Sequence, residues 1–182
     1  MMKNILYILV IGLMLLCTSC GNKQKPSQRA NVWKSEATKS SEISLSSDKV
    51  SVPFKRTVSG LAEVQVSLNG VPFNMYWDTG ASITSISSLE LAKLAKENKI
   101  RQEDLLGSVT STYADGSSAE QPVFMIKEIF IQGNDGRYLI LKNVETIISE
   151  NSEAPLLIGQ NIISNLPKHS FNESSMVIEF EK

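Results

Sequence analysis

The chain has 182 residues, enough for one ordinary domain with accessory segments, and its 42% hydrophobic and 20% charged content is adequate for a packed core. A formal charge of -1 argues against nucleic-acid binding, which asks for a basic stripe, and favours a substrate held by backbone bonds and apolar pockets. The single histidine, His169, rules out a multi-histidine metal cluster, and no metal or cofactor is expected.

Residues 1–20 stand apart from the fold. Lys3 gives a short positive region, Ile5 to Leu16 is apolar apart from Gly12, and Cys17-Thr18-Ser19-Cys20 is a small-residue exit. The apolar run is short for a permanent membrane span. It resembles a bacterial lipoprotein signal, which implies lipidation of Cys20 and anchoring of the mature chain to a lipid bilayer. Cys17 departs from the aliphatic residue usual at its place. With Cys17 removed and Cys20 lipidated, no thiol remains for a disulfide, a nucleophile or a metal. Asn22 and Lys23 are not acidic, which by resemblance to Gram-negative lipoprotein sorting implies the outer membrane of the cell envelope.

Residues 21–50 are rich in Lys, Ser, Gln and Asn and read as a flexible tether. Residues 51–182 then form the folded domain. Val52-Pro53-Phe54 suits an edge strand, where proline is admissible. Leu61 to Leu68 alternates, with Ala62, Val64, Val66 and Leu68 on one face, and Asn69-Gly70 is a strong hairpin signal. The return strand Val71 to Trp77 places Phe73, Met75 and Trp77 on one side and delivers Asp78 just past its end.

Ile83 to Ile86 reads as extended, and Ser87 with Glu90 forms a capping box for a short helix reaching about Glu97, with Leu91, Leu94 and Ala95 as its stripe. Strands follow at Leu105 to Tyr113, Glu120 to Ile126, Ile129 to Ile131, Tyr138 to Leu141 and Val144 to Ile148. Turns fall at Ala114-Asp115-Gly116-Ser117 and Asn134-Asp135-Gly136. Pro155 to Gly159 reads as a buried strand turning into a brief helix at Gln160 to Leu166, His169 as a solvent-facing loop residue, and Met176 to Phe180 as a terminal strand.

Asp78-Thr79-Gly80-Ala81-Ser82, Leu157-Ile158-Gly159 and the following Gln160-Asn161-Ile162-Ile163, in that order, resemble the retropepsin-like aspartic proteases of bacterial single-domain type. The resemblance spans about residues 55–182 and implies an all-β fold: a closed β-barrel with one or two short helices. It implies an aspartic endopeptidase hydrolysing polypeptide substrates, with Asp78 catalytic. Thr79 would brace the loops of two subunits, Gly80 would offer its amide to the carboxylates, and Ser82 would bond the outer Asp78 oxygen. Gly159 would support the loop, and Tyr113-Ala114-Asp115-Gly116 would form a flap over the cleft. Gln160 stands where retroviral relatives carry arginine, and Tyr76-Trp77 is bulkier than the usual pair before the aspartate.

Metal-free peptide hydrolysis needs one group to deprotonate water and another to protonate the carbonyl oxygen, and two close carboxylates sharing one proton do both. The chain has one Asp-Thr-Gly, so the second carboxylate has to come from a second copy of the chain across a two-fold axis. Two other readings remain at this stage: a protease-shaped binding or assembly lipoprotein without turnover, and an unrelated small β-barrel lipoprotein whose Asp-Thr-Gly is only a turn.

Overall fold

The structure, a computed structural model, describes residues 42–112 and 116–182. The expected signal at 1–20, the tether as far as residue 41 and Tyr113, Ala114 and Asp115 of the flap lie outside the described residues. The strands are β1 (Glu42–Leu45), β2 (Lys49–Arg56), β3 (Ala62–Leu68), β4 (Val71–Trp77), β5 (Ser85–Ser87), β6 (Leu105–Thr112), β7 (Ser118–Gln132), β8 (Tyr138–Ser149), β9 (Leu157–Ile158), β10 (Lys168–Asn172) and β11 (Val177–Glu181). Among the described residues two α-helices, α1 (Ser88–Lys96) and α2 (Gln160–Ile163), interrupt them. Strand pairing begins at Glu42, where β1 joins β8, so the last residues of the expected tether are part of the sheet.

Local chemistry accounts for most of these elements. Asn69 and Gly70 take φ of 48° and 89°, the two left-handed residues a two-residue hairpin demands, and β3 and β4 pair from Leu68↔Val71 to Ala62↔Trp77. Ser87 caps α1 through the amide of Leu89 while Glu90 reaches back to the Ser87 amide, and Leu94 is the helix's buried anchor. The paired segments expected on either side of residues 127 and 143 are single long strands: the register runs on unchanged from Ile126↔Val144 to Glu128↔Lys142, although Asn143 between them takes a φ of 57°. β2 is not at an edge: β11 and β3 flank it. Pro53 is tolerated because the Phe54 amide turns toward Met176, leaving the Pro53 nitrogen on the side where β3 pairing stops at Phe54↔Val64.

The expected closed barrel is corrected. The strands form one mixed, mostly antiparallel sheet in the order β10-β11-β2-β3-β4-β9-β5-β8-β7-β6, with β1 beside β8 and with β10 and β6 as open ends. β4 pairs β9 in parallel and β5 pairs β8 in parallel, while β3 touches β7 over only two residue pairs. Barrel closure requires the terminal strands to bond each other, and β10 and β6 do not.

One core runs beneath the sheet through Val64, Leu68, Met75, Ile86, Leu94, Ile126, Leu141, Ile158 and Phe180. Trp77 belongs to this core, packed edge-on against Phe171 at 5.8 Å and against the His169 ring at 5.4 Å. His169 is therefore not a solvent-facing loop residue: it lies in β10, half-buried, with its ring also 5.7 Å from Phe180. An aromatic partner for Trp77 was invisible in a Pro-Lys-His-Ser sequence, since the pairing of β10 with β11 is what brings it there.

Candidate active site

β4 carries Asp78 to the end of a parallel ladder with β9. The Tyr76 amide donates to Leu156 O at 2.8 Å and the Asp78 amide to Ile158 O at 3.1 Å, so the backbone at Asp78 is held by the segment that ends in Gly159. Asp78 is half-buried. Its Oδ1 accepts the Gly80 amide at 2.8 Å, the bond expected of Gly80, and Ala81 N closes the turn onto Asp78 O at 3.3 Å. A Cβ at Gly80 would stand 3.2 Å from that carboxylate oxygen, tighter than ordinary contact.

Gly159 crosses the loop at a distance no side chain fits: a Cβ there would lie 2.4 Å from the Ile83 carbonyl carbon. Its φ is -95°, so glycine is needed here for close approach rather than for backbone freedom. Beyond it, the start of α2 turns its amides on the loop, with Gln160 N donating to Ala81 O at 2.8 Å and Asn161 N to Ser82 O at 3.1 Å. Ser82 thus contributes its carbonyl, and its hydroxyl makes no bond to Asp78 in the structure. Thr79 is exposed, and its carbonyl accepts Gln160 Nε2 at 3.0 Å. Gln160 therefore ties the loop directly.

Two supporting residues escaped the sequence reading as such. Thr84 is fully buried and donates its hydroxyl to Asn161 Oδ1 at 2.9 Å, while the same oxygen accepts the Thr84 amide at 2.8 Å. The Thr84 hydroxyl also accepts the Gly159 amide at 3.1 Å, and Asn161 Nδ2 donates to Glu145 O at 2.8 Å. Buried polar side chains survive only when bonded in this way. A threonine inside the run Ile83 to Ile86 and an asparagine opening a helix were the available signals.

Gly116, the described residue of the expected flap tip, is exposed at φ 83° and lies in the connection between β6 and β7, just before the ladder's last pair, Thr112↔Ser118. Gly107, at φ 140°, marks a bulge in β6 where the register to β7 slips. An open concavity lined by Asn69, Lys99, Arg101 and Lys127 lies at the other end of β4, by the Asn69-Gly70 turn, and contains none of the expected site residues.

Among solved structures, the chain is similar to a retropepsin-like aspartic protease from Rickettsia conorii, at 12% identity and a TM-score of 0.50, over 77% of this chain and 94% of that one. At that identity the likeness is one of fold. No curated protein matches the chain. The family model for gag-polyprotein putative aspartyl proteases matches residues 64–165, a span that opens in β3, contains the Asp78 loop and closes just after α2. The chain belongs to the gag-polyprotein putative aspartyl protease family.

Proposed function

We propose that the protein is an aspartic endopeptidase in which Asp78 and its copy from a second subunit activate a water between them. The observation that carries this reading is the suspension of the Asp78 turn. Gly80 N holds one carboxylate oxygen, Ile158 O holds the Asp78 amide, and Gly159 and Asn161 lock the following segment from beneath. Catalytic groups placed by rigid main-chain bonds need no reorganisation when substrate arrives. One carboxylate performs only half of the proton transfers, so Thr79, exposed at the turn, is assigned to the subunit contact across the two-fold axis.

In this reading the polypeptide substrate enters under the hairpin of β6 and β7, whose tip at 113–116 acts as the flap. Residues 1–20 direct the chain to the envelope, Cys20 carries the lipid anchor, and the segment to about residue 41 spaces the domain from the outer membrane.

The deciding experiment compares peptide-library cleavage by wild type and by Asp78→Asn at equal chain concentration. The substitution preserves shape and should abolish cleavage while leaving the melting temperature within about 2 °C. Equal cleavage by both proteins would reject the mechanism. Mass spectrometry of the mature amino terminus checks the anchor, since any unmodified terminus other than Cys20 rejects it.

A further inference from the structure

The sheet has a second partly sheltered face, distinct from the core, and Asp78 stands at one end of it. Asp78 continues the β4 ladder two residues after Tyr76, so its side chain falls on the Tyr76 face. Strand register carries that face across the sheet: Tyr76 pairs Leu157, Leu157 pairs Ser85, Ser85 pairs Ile147 and Ile147 pairs Val123. Val123 is buried but lies outside the core cluster. Two residues along β7 on the same face is Gln121, paired with half-buried Val109 of β6. The hairpin's opposite face, with Ser108, Thr110 and Glu120, is exposed.

Gln121 is 4% exposed, and its Oε1 is the buried side-chain polar atom without a hydrogen-bond partner among the described residues. Leaving such an acceptor unpaired is costly, so a retained one calls for a partner from outside the chain or for a functional reason. Its neighbours in the register, Val109, Val123 and Ile147, are uncharged. A charged ligand group would go unneutralised there, whereas the N–H of a second carboxamide is a neutral donor of the kind that Oε1 lacks. Four strand spacings of about 4.8 Å lie between β4 and β7 on this path, and because β3 pairs both of them the sheet curves, so the span is at most about 19 Å, which an extended chain covers in no more than about six residues.

We propose that Gln121 is a specificity residue that reads an asparagine or glutamine side chain of an extended polypeptide lying along this face, a few residues from the bond presented to Asp78. The inference rests on the peptidase reading for its ligand class, and its test is kept independent of turnover. Full-length Asp78→Asn protein is probed with an immobilised peptide library, with and without Gln121→Met and, separately, Gln121→Leu. The Asp78→Asn protein should favour Asn or Gln over Leu at one fixed position by about 10- to 100-fold. Both Gln121 variants should lose that preference while melting at the same temperature or a few degrees higher, because an unpaired buried amide is replaced by apolar atoms.

Absence of amide selection at every position, or a profile unchanged by both variants, overturns the proposal. Cleavage by the Asp78-bearing protein is scored separately. Selected but uncleaved peptides would reject the peptidase reading and leave Gln121 standing, and cleavage without amide selection would do the reverse.

Discussion

Replacing Gly159 by alanine tests whether the Asp78 turn is held as tightly as the geometry requires. The new Cβ would lie 2.4 Å from the Ile83 carbonyl carbon, 2.7 Å from its oxygen and 2.7 Å from Thr84 N. Ordinary carbon contacts stand at about 3.5–4.0 Å, so the two segments have to part by about 1 Å. That displacement stretches Gly159 N to Thr84 Oγ1 from 3.1 Å and Gln160 N to Ala81 O from 2.8 Å beyond hydrogen-bonding range. Overpacking costs about 1–3 kcal/mol and two lost bonds about 1 kcal/mol each, so a destabilisation of about 3–5 kcal/mol and a fall of about 10–20 °C in melting temperature are expected. Peptide cleavage should fall at least about 100-fold, since the carboxylate moves with the loop. Gly60→Ala is the control: at φ 85° with nothing within 4 Å it incurs backbone strain alone, about 1–2 kcal/mol. If Gly159→Ala melts with Gly60→Ala and cleaves at the wild-type rate, the crossing does not support the site.

Asn161→Ala removes the acceptor for Thr84 N and Oγ1 and the donor to Glu145 O, and should lower the melting temperature by about 10 °C with a parallel loss of cleavage. Specific activity should fall on dilution below the dimer dissociation constant, and concentration-independent activity in a monomeric sample would reject the shared site. At Asp104, burial opposes the charge, but the Lys127 ammonium at 2.9 Å, the Arg101 amide and the charge of both cations outweigh it, holding its carboxyl below the usual range. A depressed carboxyl stabilises the fold above its unfolded pKa of about 3.9 and loses that contribution as pH falls through the lower folded value. Lys127→Met should therefore lower the melting temperature at pH 7, with a deficit that shrinks toward pH 3. A constant deficit would refute the pairing.

Wherever one strand and its turn decide the structure, the sequence was enough. The alternation of Ala62 to Leu68, the Asn69-Gly70 turn, the Ser87 and Glu90 cap and the delivery of Asp78 at the end of β4 are local signals that tertiary packing only reinforced. What failed depends on partners far along the chain. Pro53 suggested an edge, yet β2 changes partner at that residue and sits inside the sheet. His169 carries no strand signal of its own and is ordered by β11. The closed barrel was an inference about which strands meet last, and no single-strand pattern contains that information; the open ends at β10 and β6 correct it. In the site, Asp78, Gly80 and Gly159 were legible because a motif names them. The role of Thr84 depends on a bond to Asn161, 77 positions away.

The arrangement divides stability from chemistry. The bonds that place Asp78 come from main-chain groups or from Thr84, Gln160 and Asn161, whereas the Asp78 carboxylate itself accepts one amide, from Gly80, among the described residues. Removing that carboxylate therefore leaves nearly every supporting bond intact, while removing a supporting residue lets the loop move with its carboxylate still present. The two classes of variant should separate on a plot of activity against melting temperature. Asp78→Asn should fall in activity at constant stability, and Gly159→Ala and Asn161→Ala should fall in both. A site assembled by the charged group itself would place all three on one line, because losing the group would then unfold the loop as well.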